Sequence, residues 1–386
     1  MANCTEPYGG FEQGPIRPPS EAGSLLIRAT RNCPWNRCTF CPVYKGSKFG
    51  KRPIEHILRD IELIHKYVSL LKGGSGEGNF PGGSLLSGIA TEAGNSDELE
   101  AYNAALVWFR SGMESVFIQD ANSLILKTKD LAAILRRLRD RFPEIRRITS
   151  YARSQTIARK SDSEMVELKR AGLNRIHIGL ESGCDRVLEM VKKGATAAVH
   201  IEAGSRVKRA GIELSEYVMP GLGGRRLSSL HATETAETLN RIDPDFIRIR
   251  TLAIPDRVEL AKEQKEGGFV ACSNLEIVRE LSYFIGSLEG ISSFVRSDHI
   301  LNLFQDLEGE LPGDKEKMLN ILKNYLELDP CRQSIYQLGS RMGLFRGLSD
   351  MSIPQRRERV ERAARQLNVT PENIDSVLDE IVKRFI

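Results

Sequence analysis

Three cysteines fall within nine positions of one segment, Arg31-Asn32-Cys33-Pro34-Trp35-Asn36-Arg37-Cys38-Thr39-Phe40-Cys41-Pro42. The spacing is Cys-x4-Cys-x2-Cys. Thiolates this close on one loop suit an iron–sulfur cluster, and a cubane held by three protein thiolates keeps one iron open to a substrate or cofactor. Three other accounts compete. Structural zinc takes four protein ligands, so Cys4, His56 or His65 would have to join, and neither histidine shares a ligand spacing with the cysteines. A four-thiolate cluster would need Cys184, Cys272 or Cys331, each of which stands alone in the sequence. The last account is a disulfide or plain packing. The chain has seven cysteines, an odd number that resists complete pairing. A tight group among scattered ones argues for metal or catalysis in a reducing cytosol. The spacing favours the three-thiolate cubane.

A cluster loop needs a scaffold, and the pattern around it supplies one. Apolar strand-length runs at Ser24–Thr30, Ser115–Gln119, Ile145–Tyr151, Arg175–Leu180, Ile212–Val218 and Phe246–Arg250 alternate with helical periodicity at Ile54–Leu71, Asp130–Arg141, Ser163–Ala171, Val199–Ala210 and Leu227–Arg241. Strands alternating with helices of this length make parallel βαβ units. Six units suit a partial barrel or an open doubly wound sheet, an α/β fold in either case. The organisation expected is an N-terminal extension over residues 1–23, a core over 24–254 and a mainly helical region over 255–386. The glycine-rich stretch 72–98 shows no period and reads as a loop or lid inserted into the core. Near the C-terminus, Thr370 has the chemistry of an N-cap with Pro371 at the first helical position. Ile374, Val377, Leu378, Ile381, Val382 and Phe385 then form one apolar stripe, matched by Val360, Ala363, Ala364 and Leu367 on the preceding helix.

Composition narrows the class. Of the 386 residues, 41% are hydrophobic and 27% charged, ordinary usage for a globular chain with its own core. The net charge of +4 is too balanced for a dedicated nucleic-acid binder. Neither a signal-peptide run nor an apolar stretch of membrane-spanning length is present, which points to a soluble cytoplasmic protein with no membrane partner.

The cysteine segment resembles the radical S-adenosylmethionine superfamily, whose usual signature is Cys-x3-Cys-x2-Cys with an aromatic before the last cysteine. Phe40 takes that aromatic place, while the first gap here is one residue longer. A second likeness lies in Gly179-Leu180-Glu181-Ser182-Gly183, similar to a stretch in the methylthiotransferases and cobalamin-dependent methylases. The resemblance implies a partial (β/α)6 TIM-like barrel with a C-terminal helical extension. It also implies a 4Fe–4S cluster on Cys33, Cys38 and Cys41, and S-adenosylmethionine as cofactor. Reductive cleavage of that cofactor would give a 5′-deoxyadenosyl radical that abstracts hydrogen from a small-molecule substrate, with an electron donor such as flavodoxin or ferredoxin. No room is evident before Ser24 for the additional N-terminal domains of those relatives, which argues against their specific activities.

The resemblance also sorts the strand ends, where barrel enzymes place function. Asp120 or Asn122 takes the place of a cofactor-amino motif that this chain lacks, with a turn-forming pair as the plain alternative. Arg153 is a candidate carboxylate clamp, and Tyr151 a substrate contact. Glu181 is the candidate for the ribose hydroxyls. Lys193 is the candidate for the methionine carboxylate, where relatives more often have Arg. On the sixth strand Arg248 and Arg250 alternate with Ile247 and Ile249, so both should turn into the barrel and call for an anion, from a substrate or from a buried ion pair. Ser297-Asp298-His299 offers a weak proton-donor signal. Two other classes stay open: a cluster-containing haem or cofactor carrier without turnover, and a zinc-stabilised nucleic-acid binder.

Overall fold

The computed structural model describes residues 6–73, 83–94 and 98–383. Two compact units divide the chain. One comprises Met1–Asn36, Val43–His177 and Arg206–Glu213, the other Arg37–Pro42, Ile178–Ser205 and Leu214–Ile386.

In chain order, β1 (Leu25–Arg28) leads into a short antiparallel pair, β2 (Thr30–Arg31) and β3 (Gly50–Lys51). The helices α1 (Ile54–Gly73), α2 (Gly83–Gly94) and α3 (Leu99–Arg110) precede β4 (Ser115–Gln119), α4 (Thr128–Arg141) and β5 (Arg147–Ala152). The short α5 (Ser154–Ile157) and α6 (Asp162–Arg170) bring the chain to β6 (Arg175–Glu181). β1, β4 and β5 are parallel, and their register puts Leu25, Ile27, Val116, Ile118 and Ile148 on one face. Leu26, Arg28, Phe117, Gln119 and Thr149 take the other. Against the first face α1 buries Ile57, Ile61, Ile64, Val68 and Leu71, a helical stripe in which each side chain contributes about 1.5–3 kcal/mol on leaving water. Trp108 closes this core, its Nε1 donating to the Ser115 carbonyl at 2.8 Å and its ring meeting Phe142 edge-on.

The other unit holds α7 (Asp185–Met190), α8 (Ala197–Arg209), β7 (Glu213–Val218), α9 (Gly224–Ile242), β8 (Phe246–Ile249), α10 (Glu259–Lys265), α11 (Asn274–Ser287), β9 (Phe294–Arg296) and β10 (Gly309–Glu310). α8 and β7 begin or end in the first unit. β7, β8 and β9 are parallel and β10 is antiparallel. The eight main strands follow one another in the order β1-β4-β5-β6-β7-β8-β9-β10, the mostly parallel sheet of a partial barrel. α12 (Lys315–Leu326), α13 (Pro330–Arg341), α14 (Pro354–Gln366) and α15 (Ile374–Lys383) complete the chain. Among the described residues no helix is long and apolar enough to cross a membrane.

The structure departs from the sequence pattern in four places. The glycine-rich stretch is not a loop where it is described: Gly83–Gly94 is helical, while 74–82 and 95–97 lie outside the described residues. Alanine and leucine there outweigh the scattered glycines. The C-terminal region is not purely helical, because β9 and β10 extend the sheet past the six expected strands. Strands of two or three residues are too short to show alternation. α15 is regular from Ile374 rather than Pro371, after a capped turn in which the Thr370 carbonyl accepts the Ile374 N–H at 3.1 Å and Asn373 Oδ1 accepts the Thr370 N–H at 2.8 Å. Leu367 is exposed, whereas Val360, Ala364, Ile374 and Leu378 are buried.

Candidate functional site

The cysteine segment is fixed at each end by buried anchors. In the first unit Asn32, immediately before Cys33, has φ of 67°, a left-handed conformation that asparagine tolerates. Its N–H donates to Asp120 Oδ2 at 3.1 Å and its side-chain amide to the Lys48 carbonyl. Asn36, also left-handed, donates its N–H to Cys33 Sγ at 3.4 Å. Trp35 lies under the Arg153 guanidinium at 5.0 Å. In the second unit Thr39 is stitched on both sides, its N–H to the Val191 carbonyl and its carbonyl to the Leu260 N–H, each at 3.0 Å. Phe40 is 8% exposed and packs with Val187, Met219, Leu222 and Leu260, and Cys38 and Cys41 lie half-buried against the same cluster. All the described cysteines are free thiols. Among the described residues no three His, Cys, Asp or Glu side chains converge on a single-ion site.

Asp120 is wholly occupied. Arg28 Nη2 and Nε meet its Oδ2 at 2.8 and 3.0 Å, and the Tyr44 hydroxyl donates to Oδ1. With the Asn32 N–H added, both oxygens have protein donors, one of them from the residue immediately before Cys33. Burial, then the neighbouring carboxylate, pushes the Tyr44 phenol far above its usual range, so it stays a donor. Asn122 is also used internally, accepting from the Arg153 N–H at 3.1 Å and donating to Thr156 at 2.7 Å. Tyr151 meets Phe117 edge-on and His177 at a tilt, with centroids at 5.2 and 5.6 Å.

The N-terminal extension proves to be a strap over this unit. Glu12 pairs with Arg28 at 2.7 Å, Arg31 at 2.8 Å and Arg52 at 3.4 Å. Burial works against its charge, but these arginines win and hold its carboxyl below the usual range. The Gly14 N–H donates to Gln119 Oε1 at 2.8 Å, and a Cβ at Gly14 would stand 3.0 Å from Asp120.

At the end of β6, Glu181 adopts a φ of 64°, uncommon for a glutamate. Its Oε1 meets Lys193 Nζ at 3.0 Å. Gly179 leaves the space for this pair: an added Cβ would collide with Glu181 Oε1 and stand 3.1 Å from Lys193 Nζ. Glu181 and Lys193 are thus brought together, one neutralising the other. On β7, Glu216 shares the strand face of Leu214 and Val218, with Leu214 turned toward Gly204 of α8. Glu216 is fully buried and neither carboxylate oxygen has a hydrogen-bond partner. Burial drives its pKa well above the usual carboxylate range, Lys193 pulling down and Glu181 pushing up.

The two arginines separate. Arg248 shares the face of Tyr217 and is 2% exposed, but its anion is already present: Asp298 Oδ2 lies 2.6 Å from Nη1, and Ser215 Oγ 3.2 Å from Nε. Arg250 lies past the strand end and is exposed, so burial does not require an anion there. Of the Ser297–His299 run it is therefore Asp298 that acts, while burial and then the charge of Arg250 lower the His299 pKa to about 4.

The pattern does not single out three features that hold these groups, Arg28, Tyr44 and the Glu12 strap, nor the buried Glu216. Glu216 left a trace, a charged residue in an otherwise apolar alternating row. The partners of Asp120 left none, being 76 to 92 residues away in sequence.

The mostly parallel βα sheet of a partial barrel carries the cysteine loop at the end of its first strands. The family model of the Radical SAM superfamily matches residues 27–235, more than half the chain, and the protein belongs to that superfamily. Membership implies a 4Fe–4S cluster and S-adenosylmethionine. The chain is also similar to the tRNA uridine(34) acetyltransferase of Methanocaldococcus infernus, 25% identical over 125 residues, which is 32% of this chain and 23% of that protein. It thus spans under a quarter of this curated relative. Among solved structures, coproporphyrinogen III oxidase from Escherichia coli aligns at a TM-score of 0.45 and 12% identity, covering 69% of this chain and 52% of the other. A cobalamin-dependent S-adenosylmethionine radical enzyme, OxsB, aligns at 0.42 and 14%, covering 94% and 54%.

Proposed function

We propose that Cys33, Cys38 and Cys41 hold the cluster and that the protein uses it, with S-adenosylmethionine, to abstract hydrogen from a small-molecule substrate. The observation that carries this reading is the loop itself: three cysteines outside any disulfide on a segment whose ends are anchored by Asp120 and by Val191 and Leu260, with a backbone N–H on Cys33 Sγ. A donated N–H suits a thiolate ligand, so the donor set fits the cluster. When bound by Cys33, Cys38 and Cys41, the cluster together with S-adenosylmethionine would supply the one-electron chemistry needed for hydrogen abstraction.

The chain's residues bind and orient. Glu181 presents a carboxylate suited to two ribose hydroxyls, and Lys193, 3.0 Å from it, offers a cation for the methionine carboxylate. Phe40 and its apolar neighbours exclude water beside Cys38 and Cys41. Tyr151 and Arg153 remain candidate contacts to substrate and cofactor. Asp298 removes the burial argument for an anionic substrate at Arg248. A flavodoxin- or ferredoxin-like donor would supply the electron.

The test is anaerobic reconstitution. Wild type should hold about four irons per chain and release 5′-deoxyadenosine with dithionite, while Cys38→Ala loses both. Zinc in oxygen-protected protein, or iron retained by Cys38→Ala, overturns the reading.

A further inference from the structure

A cavity with a volume of about 340 Å³ lies within the second unit. Its walls are the chain after β8 (Thr251–Asp256), the start of α11, the end of α13 and the first turns of α15. Leu252, Ile254, Ile277 and Leu378 give it an apolar body. Its charges are few. Arg341 from α13 and Lys265 face Asp256, Asp375 and Asp379.

These charges are unevenly paired. Lys265 Nζ meets Asp256 at 3.3 Å, so that pair is self-contained. Arg341 spends Nη1 on the Leu301 carbonyl at 2.6 Å, yet its Nε is buried with no hydrogen-bond partner. An unpaired buried guanidinium N–H costs free energy until an acceptor meets it. Asp375 accepts both the Asn274 N–H (3.0 Å) and its side-chain amide (2.7 Å) on Oδ1 alone. Its Oδ2 has no protein partner among the described residues. Cys272, on the same wall, is held protonated: burial, then Glu280 and Glu276, raise its pKa to about 12, so the thiol is neither nucleophile nor anion.

A polyphosphate would meet Arg341 but be repelled by Asp375 and Asp379. A neutral apolar ligand would leave Nε unpaired. We propose that this cavity binds a small zwitterion with an apolar body, an amino-acid-like molecule whose carboxylate sits on Arg341 and whose ammonium sits on Asp375 Oδ2. The proposal does not require the cluster, so its failure and that of the radical reading are told apart by iron content.

Titration calorimetry on the full chain, with S-adenosylmethionine saturating so that the cofactor's own amino-acid site is filled, tests it. The probes are L-leucine, L-isoleucine and L-phenylalanine, with 4-methylpentanoate and leucinamide as partners lacking the amine or the carboxylate. At least one amino acid should bind, and the two truncated analogues of leucine should bind about tenfold or more weaker. Arg341→Met and Asp375→Asn should each weaken the amino acid to a similar degree. Asparagine can still accept from Asn274, so the second variant keeps the test valid if the first fails to fold. The proposal is overturned if no amino acid binds at millimolar concentration, if Asp375→Asn leaves affinity unchanged, or if inorganic phosphate binds more tightly than every amino acid.

Discussion

Two buried acids show opposite solutions to the same electrostatic problem. Asp120, in the first unit, is surrounded by donors: Arg28, the Tyr44 hydroxyl and the Asn32 N–H fill both oxygens. Glu216, in the second unit, is as deeply buried and has no donor on either oxygen. The charge of the first is met by these donors, one of which is the Asn32 N–H of the cysteine loop. The second keeps its proton because its charge would be unmet. Burial alone therefore says little about what a carboxylate does; the donors around it decide.

Asp120→Ala should break this contrast most severely. It takes from Arg28 the more buried of its two counter-ions and leaves the Tyr44 hydroxyl and the Asn32 N–H without their acceptor, at a cost of about 3–5 kcal/mol read from urea unfolding. The cysteine loop should lose its register as well, so reconstituted iron content should fall. A loss under about 1 kcal/mol would mean that the network does not hold the loop.

Glu216→Gln should act in the other direction, and only at higher pH. A raised folded pKa means that the folded state binds more protons than the unfolded one above the ordinary value of 4.5. Stability is then full below that value and falls as pH rises toward the folded pKa. Glutamine removes the ionisation, so the variant should match wild type near pH 5 and exceed it near pH 8 by about 1–2 kcal/mol in thermal or urea unfolding. An equal effect at both values would show that Glu216 is ionised in the folded protein.

Tyr44→Phe removes one donor from Asp120 and leaves three, and about 1–1.5 kcal/mol is expected. Gly14→Ala is the mildest change. Its methyl would press on Asp120 from a strap that can shift, costing about 1 kcal/mol or less. If Gly14→Ala cost more than Tyr44→Phe, the strap and not the phenol would be the main support of Asp120.

The legible parts of this molecule were those with a local signature. The six main strands and their helices follow from period and length, and the cysteine spacing follows from the chemistry of a cluster. The Glu181–Lys193 pair was approachable because both members lie within one short stretch of sequence. What stayed hidden depended on distant partners or very short elements. Nothing near Arg248 shows that Asp298 neutralises it, because they are 50 residues apart. β9 is three residues long and gives no period to read. The helix at Gly83–Gly94 was masked by glycines, whose helix penalty is real but small enough for packing to override.

The strap has a practical corollary. Glu12 is the shared counter-ion of Arg28, Arg31 and Arg52, and Glu6 adds a second contact to Arg31. A protease cut just after Gln13 would remove both acids, leaving Arg31 without a counter-ion and uncovering the guanidinium edges that Glu12 meets on Arg28 and Arg52. Nicked material should elute late from a heparin column and pick up polyanions avidly, so nucleic acid retained by such a preparation would report on the missing peptide and not on the intact enzyme.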